Sequence, residues 1–389
     1  MADPNTVTEL ASAGAVAPRD FAEAPGRVKE IAHVRLELPT STTSAVQMVA
    51  ETGHYEEEAL QEAVVALTLG HLILAGPPGT GKTSLARALA NAFNVRLIAE
   101  TANPEWSVYD VIGTQTLLKG GEVAPKHGLV TQAILDCATA AVDNLDSNSG
   151  PQGVWLLIDE MNRADIDRAF GPLFTALAGG DEAGMVLDYI ADRPSVTLPQ
   201  RFRIIATVNE YDTRFVNSMS AALRRRFAKV TILPPANDAS NCAPLAEFDA
   251  ALMAAETKAE RVLGGATFKD LLDVVRSRSD RIRELFGFFR GGEADGIPLG
   301  TAQIIDVLAY FIVFASTGND APASYERGVG EALFWDVFDR ALVARLMPAL
   351  ETDSTRARLE QTFSSEFTEK FPELPRLSRR LQAFLYGRD

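Results

Sequence analysis

Short runs of apolar residues, each ended by small or polar residues, recur through the first 235 residues of the chain. The largely apolar segments at residues 71–75, 154–158 and 203–208 are typical of buried strands, and the unbroken run at 154–158 suits a strand covered on both faces of a parallel sheet. Two further segments, at 95–99 and 229–233, are also predicted to be strands. Apolar residues at helical spacing lie between these runs. The pattern therefore predicts an α/β fold with a parallel five-stranded sheet.

The pattern changes after Pro234-Pro235. Helical periodicity then dominates, with predicted helices at residues 244–263, 268–289, 301–315, 329–350 and 355–371, and no strand signal of comparable strength. Residues up to about 35 are rich in Ala, Pro and small polar types without sustained periodicity. We therefore expect a flexible N-terminal arm (1–40), an α/β core (41–235) and a helical domain with further C-terminal helices (236–389).

Two glycine- or proline-punctuated segments interrupt the core pattern. Residues 113–128, with Gly120-Gly121 at their middle, favour a hairpin or a loop, and residues 185–198 favour a second hairpin. Trp106 and Tyr109 precede the first segment. They could lie at the mouth of a pore, but core packing is the interpretation that the sequence favours for Tyr109.

The strongest chemical signal follows the first predicted strand. The residues Gly76-Pro77-Pro78-Gly79-Thr80-Gly81-Lys82-Thr83, followed by Ser84, match G-x-x-x-x-G-K-[ST] between a strand and a helix. Glycine allows the backbone to turn its N–H groups toward phosphate oxygens, and the start of the following helix adds to the attraction. Lys82 supplies a positive charge, and the Thr83 hydroxyl is suited to hold Mg²⁺. We therefore predict a phosphate-binding loop at residues 76–84.

Polar residues end two further predicted strands. Asp159 and Glu160 follow the run at 154–158, and Asn209 follows the run at 203–208. The carboxyl ends of parallel strands meet at one edge of a sheet, where ligands bind. Asp159 is therefore predicted to bind Mg²⁺, Glu160 to polarise the attacking water, and Asn209 to contact that water or the γ-phosphate.

Three consecutive arginines, Arg224, Arg225 and Arg226, close a short predicted helix before the last strand of the core. A nucleic-acid contact is one interpretation, and a favourable charge at a helix C-terminus is another. We favour an arginine finger acting on a neighbouring subunit, because phosphoryl transfer gains from a fixed guanidinium.

Composition limits the classes of function. The net charge is −15, with 37 Lys and Arg against 52 Asp and Glu, which argues against general affinity for nucleic acid or anionic membranes. The 2 cysteines cannot form a disulfide framework, and the 4 histidines lack the spacing of a metal site. No apolar run is long enough to span a membrane, and the N-terminus lacks the order of a signal peptide. A cytoplasmic location is expected.

These motifs in this order resemble the AAA+ ATPases. Within them, residues 159–164 (Asp-Glu-Met-Asn-Arg-Ala), the Ala-Thr-x-Asn strand end and residues 222–227 (Ala-Leu-Arg-Arg-Arg-Phe) look like the dynein-related and MoxR-like branch, especially McrB-type motor subunits. Specific motifs carry the resemblance over residues 43–233. The C-terminal helices resemble the lid domain of this family only in being helical. The resemblance makes Lys82 and Thr83 the Walker A pair, Asp159 and Glu160 the Walker B pair, Asn209 sensor 1, and Arg225 and Arg226 the fingers.

The resemblance implies a Mg²⁺-dependent NTPase that forms a ring, expected to be a hexamer, and that remodels or translocates a partner. McrB-type proteins carry Asn-x-x-Asp at sensor 1, linked there to GTP; residues 209–212 keep only its ends, so ATP is favoured and GTP stays open. A separate effector protein is implied, and nucleic acid only through it. Residues 298–303 contain no arginine where many AAA+ lids place sensor 2. The alternative is a nucleotide-gated scaffold or chaperone, in which binding matters more than turnover.

Overall fold

The structure is a computed structural model. It describes residue 28 and residues 32–39, 42–50, 53, 55–147, 149–177, 184–209, 220–264, 268–291, 296–317, 329–362 and 365–387. The rest of the predicted N-terminal arm and residues 210–212 of the predicted sensor 1 signature lie outside the described residues.

A five-stranded parallel sheet forms the centre of the N-terminal half, as the apolar runs predicted. The strands are His71–Gly76 (β1), Arg96–Thr101 (β2), Val154–Asp159 (β5), Ile204–Asn209 (β8) and Phe227–Thr231 (β9). Their order in the sheet is β2-β5-β8-β1-β9, so β8 lies between β5, which leads into the two acidic residues, and β1, which leads into the phosphate loop.

Helices cover both faces of this sheet. Alternate residues of the same strand enter different clusters: Ile158 packs on one face, whereas Trp155 and Leu157 pack on the other. Burial on both faces explains why the strands read as continuous apolar runs. The helices are Thr42–Ala50 (α1), Glu57–Leu69 (α2), Lys82–Ala92 (α3), Val108–Val111 (α4), Leu129–Ser147 (α5), Ile166–Ala169 (α6), Leu173–Leu177 (α7) and Ala221–Arg224 (α8).

Both predicted hairpins are present. Strands Gly113–Leu117 (β3) and Val123–His127 (β4) pair antiparallel, as do Gly184–Val186 (β6) and Ser195–Thr197 (β7). Trp106 is half-buried against Phe170. The prediction that Tyr109 packs in the core is wrong, because its side chain on α4 is 67% exposed. The four-residue helix buries only Val111 and turns Tyr109 outward.

The C-terminal half is helical and has its own apolar cluster. Two of the predicted helices are each divided in two: 268–289 breaks at Ser277 and Arg278, and 329–350 breaks at Leu346. Among the described residues, no helix combines the length and apolar character needed to cross a bilayer. The helices are Leu245–Leu263 (α9), Lys269–Arg276 (α10), Ser279–Arg290 (α11), Thr301–Thr317 (α12), Val329–Arg345 (α13), Met347–Leu350 (α14), Asp353–Thr362 (α15), Ser365–Lys370 (α16) and Pro375–Tyr386 (α17).

Part of the predicted N-terminal arm packs against the core. Residues 32–39, which we call the strap, run past the starts of β2, β5 and β8. The Arg201 side chain is 2% exposed and donates to the Arg35 carbonyl at 2.9 Å and to the Glu37 carboxylate at 2.9 Å. Gln152 exchanges two hydrogen bonds with the Glu37 backbone. The Gln152 side-chain amide and the buried Arg201 guanidinium therefore hold the strap, and Val34 and Leu36, which alternate with polar residues, pack against the core.

Candidate functional site

The predicted site residues on the strands meet at one edge of the sheet. Gly76 at the end of β1 pairs with Asn209 at the end of β8, and Asp159 ends the neighbouring β5. Parallel strands align their carboxyl ends, so the phosphate loop, the acidic pair and Asn209 lie side by side. The structure thus brings these predicted residues together.

The phosphate loop depends on backbone shapes that favour glycine. Gly76, Gly79 and Gly81 have φ of 141°, 79° and 81°, a region that other L residues rarely adopt. A Cβ on Gly76 would lie 2.2 Å from the Ile232 carbonyl oxygen, so even alanine has no room there. Tyr55 donates from its hydroxyl to the Gly81 carbonyl at 3.1 Å, and burial raises its pKa to about 12.

Lys82 lies inside the curve of this loop. Its Nζ donates to the carbonyl oxygens of Gly76 at 3.0 Å and Pro77 at 2.5 Å, and the residue is 9% exposed. Thr80 closes the turn by donating to the same Pro77 carbonyl at 3.0 Å. A buried ammonium among carbonyl oxygens is a suitable partner for an anion that enters the loop.

Asp159 and Thr207 form the centre of the acidic side. The Asp159 Oδ1 accepts from the Thr83 hydroxyl at 2.9 Å and from the Thr207 hydroxyl at 2.5 Å. Thr207 in turn accepts from the Glu160 backbone N–H at 2.9 Å. Thr207 on β8 therefore bonds both Asp159 and Glu160, and Asp159 in turn bonds Thr83.

Glu160 has an uncommon backbone conformation. Its φ of 53° and ψ of 44° place a non-glycine residue in the left-handed region, which costs about 1–3 kcal/mol. Its carboxylate accepts from Arg163 Nε at 2.7 Å. In this structure the Glu160 carboxylate is therefore paired with Arg163, three residues further along the same turn.

Asn162 connects the acidic turn to the end of β8. It is 4% exposed, and its Nδ2 donates to the Asn209 carbonyl at 3.3 Å. The Asn209 backbone also pairs with Gly76, so the end of β8 lies between the loop and the acidic turn. The predicted contact of Asn209 with the attacking water or the γ-phosphate stays a prediction.

The oxygen atoms at this edge suit a hard divalent cation bound together with phosphate. Mg²⁺ binds through few protein ligands and keeps water and phosphate oxygens as the others. The Thr83 hydroxyl and the Asp159 carboxylate, 2.9 Å apart, provide such a pair. The described residues contain no group of three or more His, Cys, Asp or Glu that could hold a metal alone. The residues therefore fit a cation that arrives with its nucleotide.

The start of α12 contacts the phosphate loop from the C-terminal half. Ala302 N donates to the Gly79 carbonyl at 3.2 Å, and Gln303 Nε2 reaches the Pro78 carbonyl at 3.4 Å. A Cβ on Gly300 would lie 2.3 Å from that Gly79 oxygen. At residues 298–303, where a sensor 2 arginine was looked for, the contacts with the phosphate loop thus come from the Ala302 backbone and the Gln303 side-chain amide.

A buried ion pair supports this contact. Glu247 on α9 and Arg290 on α11 form two hydrogen bonds of 2.7 Å, with side chains 0% and 5% exposed. Arg290 also donates to the Leu299 carbonyl, and Thr301 donates to Glu247 at 2.6 Å. The pair therefore fixes the segment that touches the phosphate loop.

The arginine cluster lies at the opposite edge of the sheet. Phe227, the first residue of β9, pairs with His71, the first residue of β1, five residues before Gly76. At about 3.3 Å per residue, the arginines lie roughly 17 Å from the loop along the strands. Arg225 is exposed, whereas Arg226 donates from Nε to the Phe174 carbonyl at 3.0 Å. The structure does not bring these two residues to their own chain's loop.

Several residues at the site escaped the sequence interpretation: Thr207, Asn162, Arg163, Gln303 and Tyr55. The first three stand within quoted motifs, yet only the fold shows which atoms they contact. Gln303 and Tyr55 reach the loop from 225 and 26 residues away. No local signal marks contacts of that kind.

Comparisons with known proteins agree with this geometry. Residues 71–227 match the family model of the AAA domain, dynein-related subfamily. The RuvB subunit of the Holliday junction branch migration complex of Mycoplasma pneumoniae is 28% identical over 179 residues, which cover 45% of this chain and 49% of that protein. RuvB of Mycoplasma genitalium is 23% identical over 203 residues, covering 52% and 55%. The chain spans about half the length of these relatives.

A solved structure is also similar. It is that of a candidate ATPase from Cytophaga hutchinsonii, with 17% identity, a TM-score of 0.34, and coverage of 55% of this chain and 54% of the other. The family model covers β1, the phosphate loop, the acidic pair and β8, and it ends at the first residue of β9. Residues 71–227 thus resemble the AAA domain of the dynein-related subfamily over the part of the chain that forms the candidate site.

Proposed function

We propose that the protein is a Mg²⁺-dependent nucleoside triphosphatase that assembles into a ring and uses hydrolysis to remodel or translocate a partner macromolecule. The observation that carries this proposal is the edge formed by the phosphate loop, Asp159, Glu160 and Asn209. The match to an AAA domain supports hydrolysis. ATP is the favoured nucleotide and GTP the alternative.

Each residue then has a role in the reaction. Loop N–H groups and Lys82 bind the β- and γ-phosphates, and Thr83 and Asp159 would hold Mg²⁺, which would neutralise charge on the phosphate oxygens. Glu160 orients the attacking water, and Asn209 hydrogen-bonds that water or the γ-phosphate. For Glu160 to do so, its carboxylate leaves Arg163.

The position of the arginines supports assembly. Arg225 and Arg226 are too far along the sheet to act on their own loop, so we assign them to the site of a neighbouring subunit. Arg225 is the exposed member and the one we place at the developing charge, whereas Arg226 is bonded to Phe174 within its own chain. A ring, with six subunits proposed, gives every site such a neighbour.

Exposed apolar side chains offer a surface for a partner. Tyr109 on α4 is 67% exposed, and Leu117 and Val123 at the end of the β3–β4 hairpin are 71% and 57% exposed. We propose that this hairpin contacts the remodelled macromolecule or a separate effector protein. The RuvB proteins are named for Holliday junctions, but here the net charge of −15 favours contact with nucleic acid only through a partner.

One observation favours the alternative of a nucleotide-gated scaffold. The Glu160 carboxylate is bonded to Arg163 at 2.7 Å, an arrangement that slows turnover for as long as it persists. A scaffold of this kind would bind nucleotide and assemble without appreciable hydrolysis.

The test is phosphate release from ATP and from GTP over a range of protein concentrations. We expect one nucleotide to be hydrolysed, with a rate per subunit that rises with concentration because a neighbour completes each site. Glu160→Gln should remove at least 99% of the rate and keep binding, whereas Glu105→Gln, an exposed glutamate after β2, should change neither. Tight binding without turnover at every concentration would favour the scaffold.

A further inference from the structure

Asp167 joins the acidic turn of the site to the segment that carries the arginines. It lies on α6, a few residues after Glu160, and its two carboxylate oxygens accept separate hydrogen bonds from Ser220. The Ser220 backbone N–H donates at 2.9 Å and its hydroxyl at 2.6 Å. Ser220 directly precedes α8, and the two residues are 53 positions apart in the chain.

The chain between Glu160 and Asp167 is short and internally bonded. Arg163 N donates to the Glu160 carbonyl at 2.9 Å, and Ala164 N donates to the Met161 carbonyl at 3.3 Å. The Asp165 side chain then accepts from Arg168 N at the start of α6. Two hydrogen-bonded turns, at residues 160–164 and 165–168, therefore follow one another directly between Glu160 and Asp167.

A second bond fixes the other end of the arginine segment. Arg226 donates to the Phe174 carbonyl at 3.0 Å, so α8 is held at Ser220 by α6 and at Arg226 by α7. Arg225 lies between these two anchors and is exposed. Its direction therefore depends on both contacts.

We propose that Asp167 is a positioning residue for Arg225: its bidentate contact with Ser220 sets the direction in which a subunit presents Arg225 to its neighbour. Through the turn at Glu160, the contact also makes that direction depend on the state of the subunit's own site. This inference rests on the proposed function, because it needs arginines that act between subunits.

The first measurement is the steady-state rate of ATP hydrolysis of single variants. Asp167→Ala removes both acceptors and should lower kcat at least tenfold with KM changed less than twofold. Asp167→Asn keeps one acceptor and should recover part of the rate. Ser220→Ala keeps the backbone bond and should lower kcat two- to fivefold, whereas Ser220→Thr should restore it.

The decisive measurement mixes subunits of two kinds. Lys82→Ala subunits lack a working loop but present intact arginines, whereas Arg225→Ala subunits have intact loops and lack the finger. Asp167→Ala subunits should regain activity when mixed with Lys82→Ala subunits, because these supply a correctly directed Arg225. They should gain nothing from Arg225→Ala subunits, which lack the same function.

The opposite results would overturn the inference. Rescue by Arg225→Ala subunits, or by neither kind, would place the defect of Asp167→Ala in its own site or in its folding. A wild-type rate in Asp167→Ala would show that the contact with Ser220 does not position Arg225. The control is Asp165→Asn, which removes one negative charge two residues earlier. Its amide oxygen can still accept from Arg168 N, so this variant should hydrolyse ATP at the wild-type rate.

The proposed function fails differently. If wild-type protein does not hydrolyse ATP, or if Arg225→Ala is as active as wild type, fingers between subunits are refuted and the role of Asp167 with them. If both of these controls behave as expected, a failure of the Asp167 variants concerns the positioning contact alone.

Discussion

Thr207 is the residue on which the acidic side of the site depends most directly. Its hydroxyl donates to Asp159 at 2.5 Å and accepts the Glu160 N–H at 2.9 Å. The second bond holds Glu160 in a backbone conformation that is unfavourable on its own. A single hydroxyl group therefore orients two residues with different proposed roles.

Replacement of Thr207 by valine keeps the shape and removes both bonds. Each lost bond costs about 1–3 kcal/mol where a partner stays buried, so we expect kcat for ATP to fall at least tenfold. Nucleotide affinity without Mg²⁺ should stay within twofold, since the loop is intact. Thr139→Val, which loses only a bond to its own helix, is the control. Equal kcat in both variants would show that Thr207 is dispensable.

Arg163 is the second residue with a measurable effect. Its Nε donates to the Glu160 carboxylate at 2.7 Å. Both side chains are about 40% exposed, so this ion pair contributes little to the stability of the fold. Arg163→Gln should therefore raise the basal kcat a few-fold with unchanged thermal stability, if release of Glu160 limits turnover. A fall in kcat would show instead that Arg163 takes part in the reaction.

His71 predicts a pH dependence of stability. Burial, with the nearby Arg203 charge, lowers its pKa to about 3, and its Nδ1 accepts the Ile204 N–H at 2.9 Å. The unfolded chain binds this proton below about pH 6.5, whereas the folded chain does so only near pH 3. The stabilisation by neutral His71 is therefore lost as pH falls through this window.

Thermal unfolding between pH 7 and pH 5 measures this effect. The midpoint of the wild type should fall, and His71→Asn, which keeps an acceptor and does not titrate, should flatten the curve. Parallel curves for the two proteins would show that other groups cause the fall.

At the scale of elements, the contact between α12 and the phosphate loop is the feature with the clearest consequence. Gly300 is packed so closely that a Cβ would lie 2.3 Å from the Gly79 carbonyl oxygen, and both partners are backbone. Gly300→Ala should therefore displace α12 from the loop and weaken ATP binding at least tenfold. Gly70→Ala, where a Cβ meets nothing within 4 Å, should bind normally. Calorimetric titration compares the two, and equal affinities would contradict the role of this contact.

The elements of the core were predictable because their physical causes are local. Strands buried on both faces require apolar runs, and polar residues end them at the ligand-binding edge, so β1, β5 and β8 were located to within a residue or two. Both hairpins followed from glycine and proline. Tyr109 was mispredicted because exposure of a single aromatic residue on a four-residue helix has no periodic signature.

The helices of the second half were predicted less well. Local signals stand at both breaks: residues 276–281 are all polar, and Pro348 lies at the start of α14 after Leu346, but helical periodicity alone did not weigh them. Helix α17 was missed, although Pro375 at its first position is a recognised start signal. Contacts such as Thr207 to Asp159 and Gln303 to Pro78 join distant positions, and no single sequence reveals them.

At the scale of the whole molecule, the Glu247–Arg290 pair connects the two halves. It binds Thr301 and Leu299 beside the phosphate loop, and Arg290 also reaches the Pro235 carbonyl between the halves at 3.3 Å. Both charges are almost completely buried, so neither is stable without the other. The pair therefore couples folding of the helical half to its position on the loop.

Removal of one partner should be costly. Arg290→Met leaves the Glu247 carboxylate buried without its cation and should lower the free energy of unfolding by about 3–5 kcal/mol. Glu247→Met combined with Arg290→Met should cost much less than either single change. Urea unfolding followed by circular dichroism measures all three variants. Additive losses in the double variant would contradict the coupling.

The strap has a practical consequence for anyone who prepares a minimal fragment of the core. A recombinant protein that starts at residue 41 lacks Arg35 and Glu37, so the guanidinium of Arg201 loses two of its acceptors and the segment that packs against it. Gln152 loses its partner on the Glu37 backbone at the same time. We therefore expect such a fragment to be less stable than the full chain, for reasons unrelated to nucleotide chemistry. A cloning boundary before residue 32 keeps these hydrogen bonds.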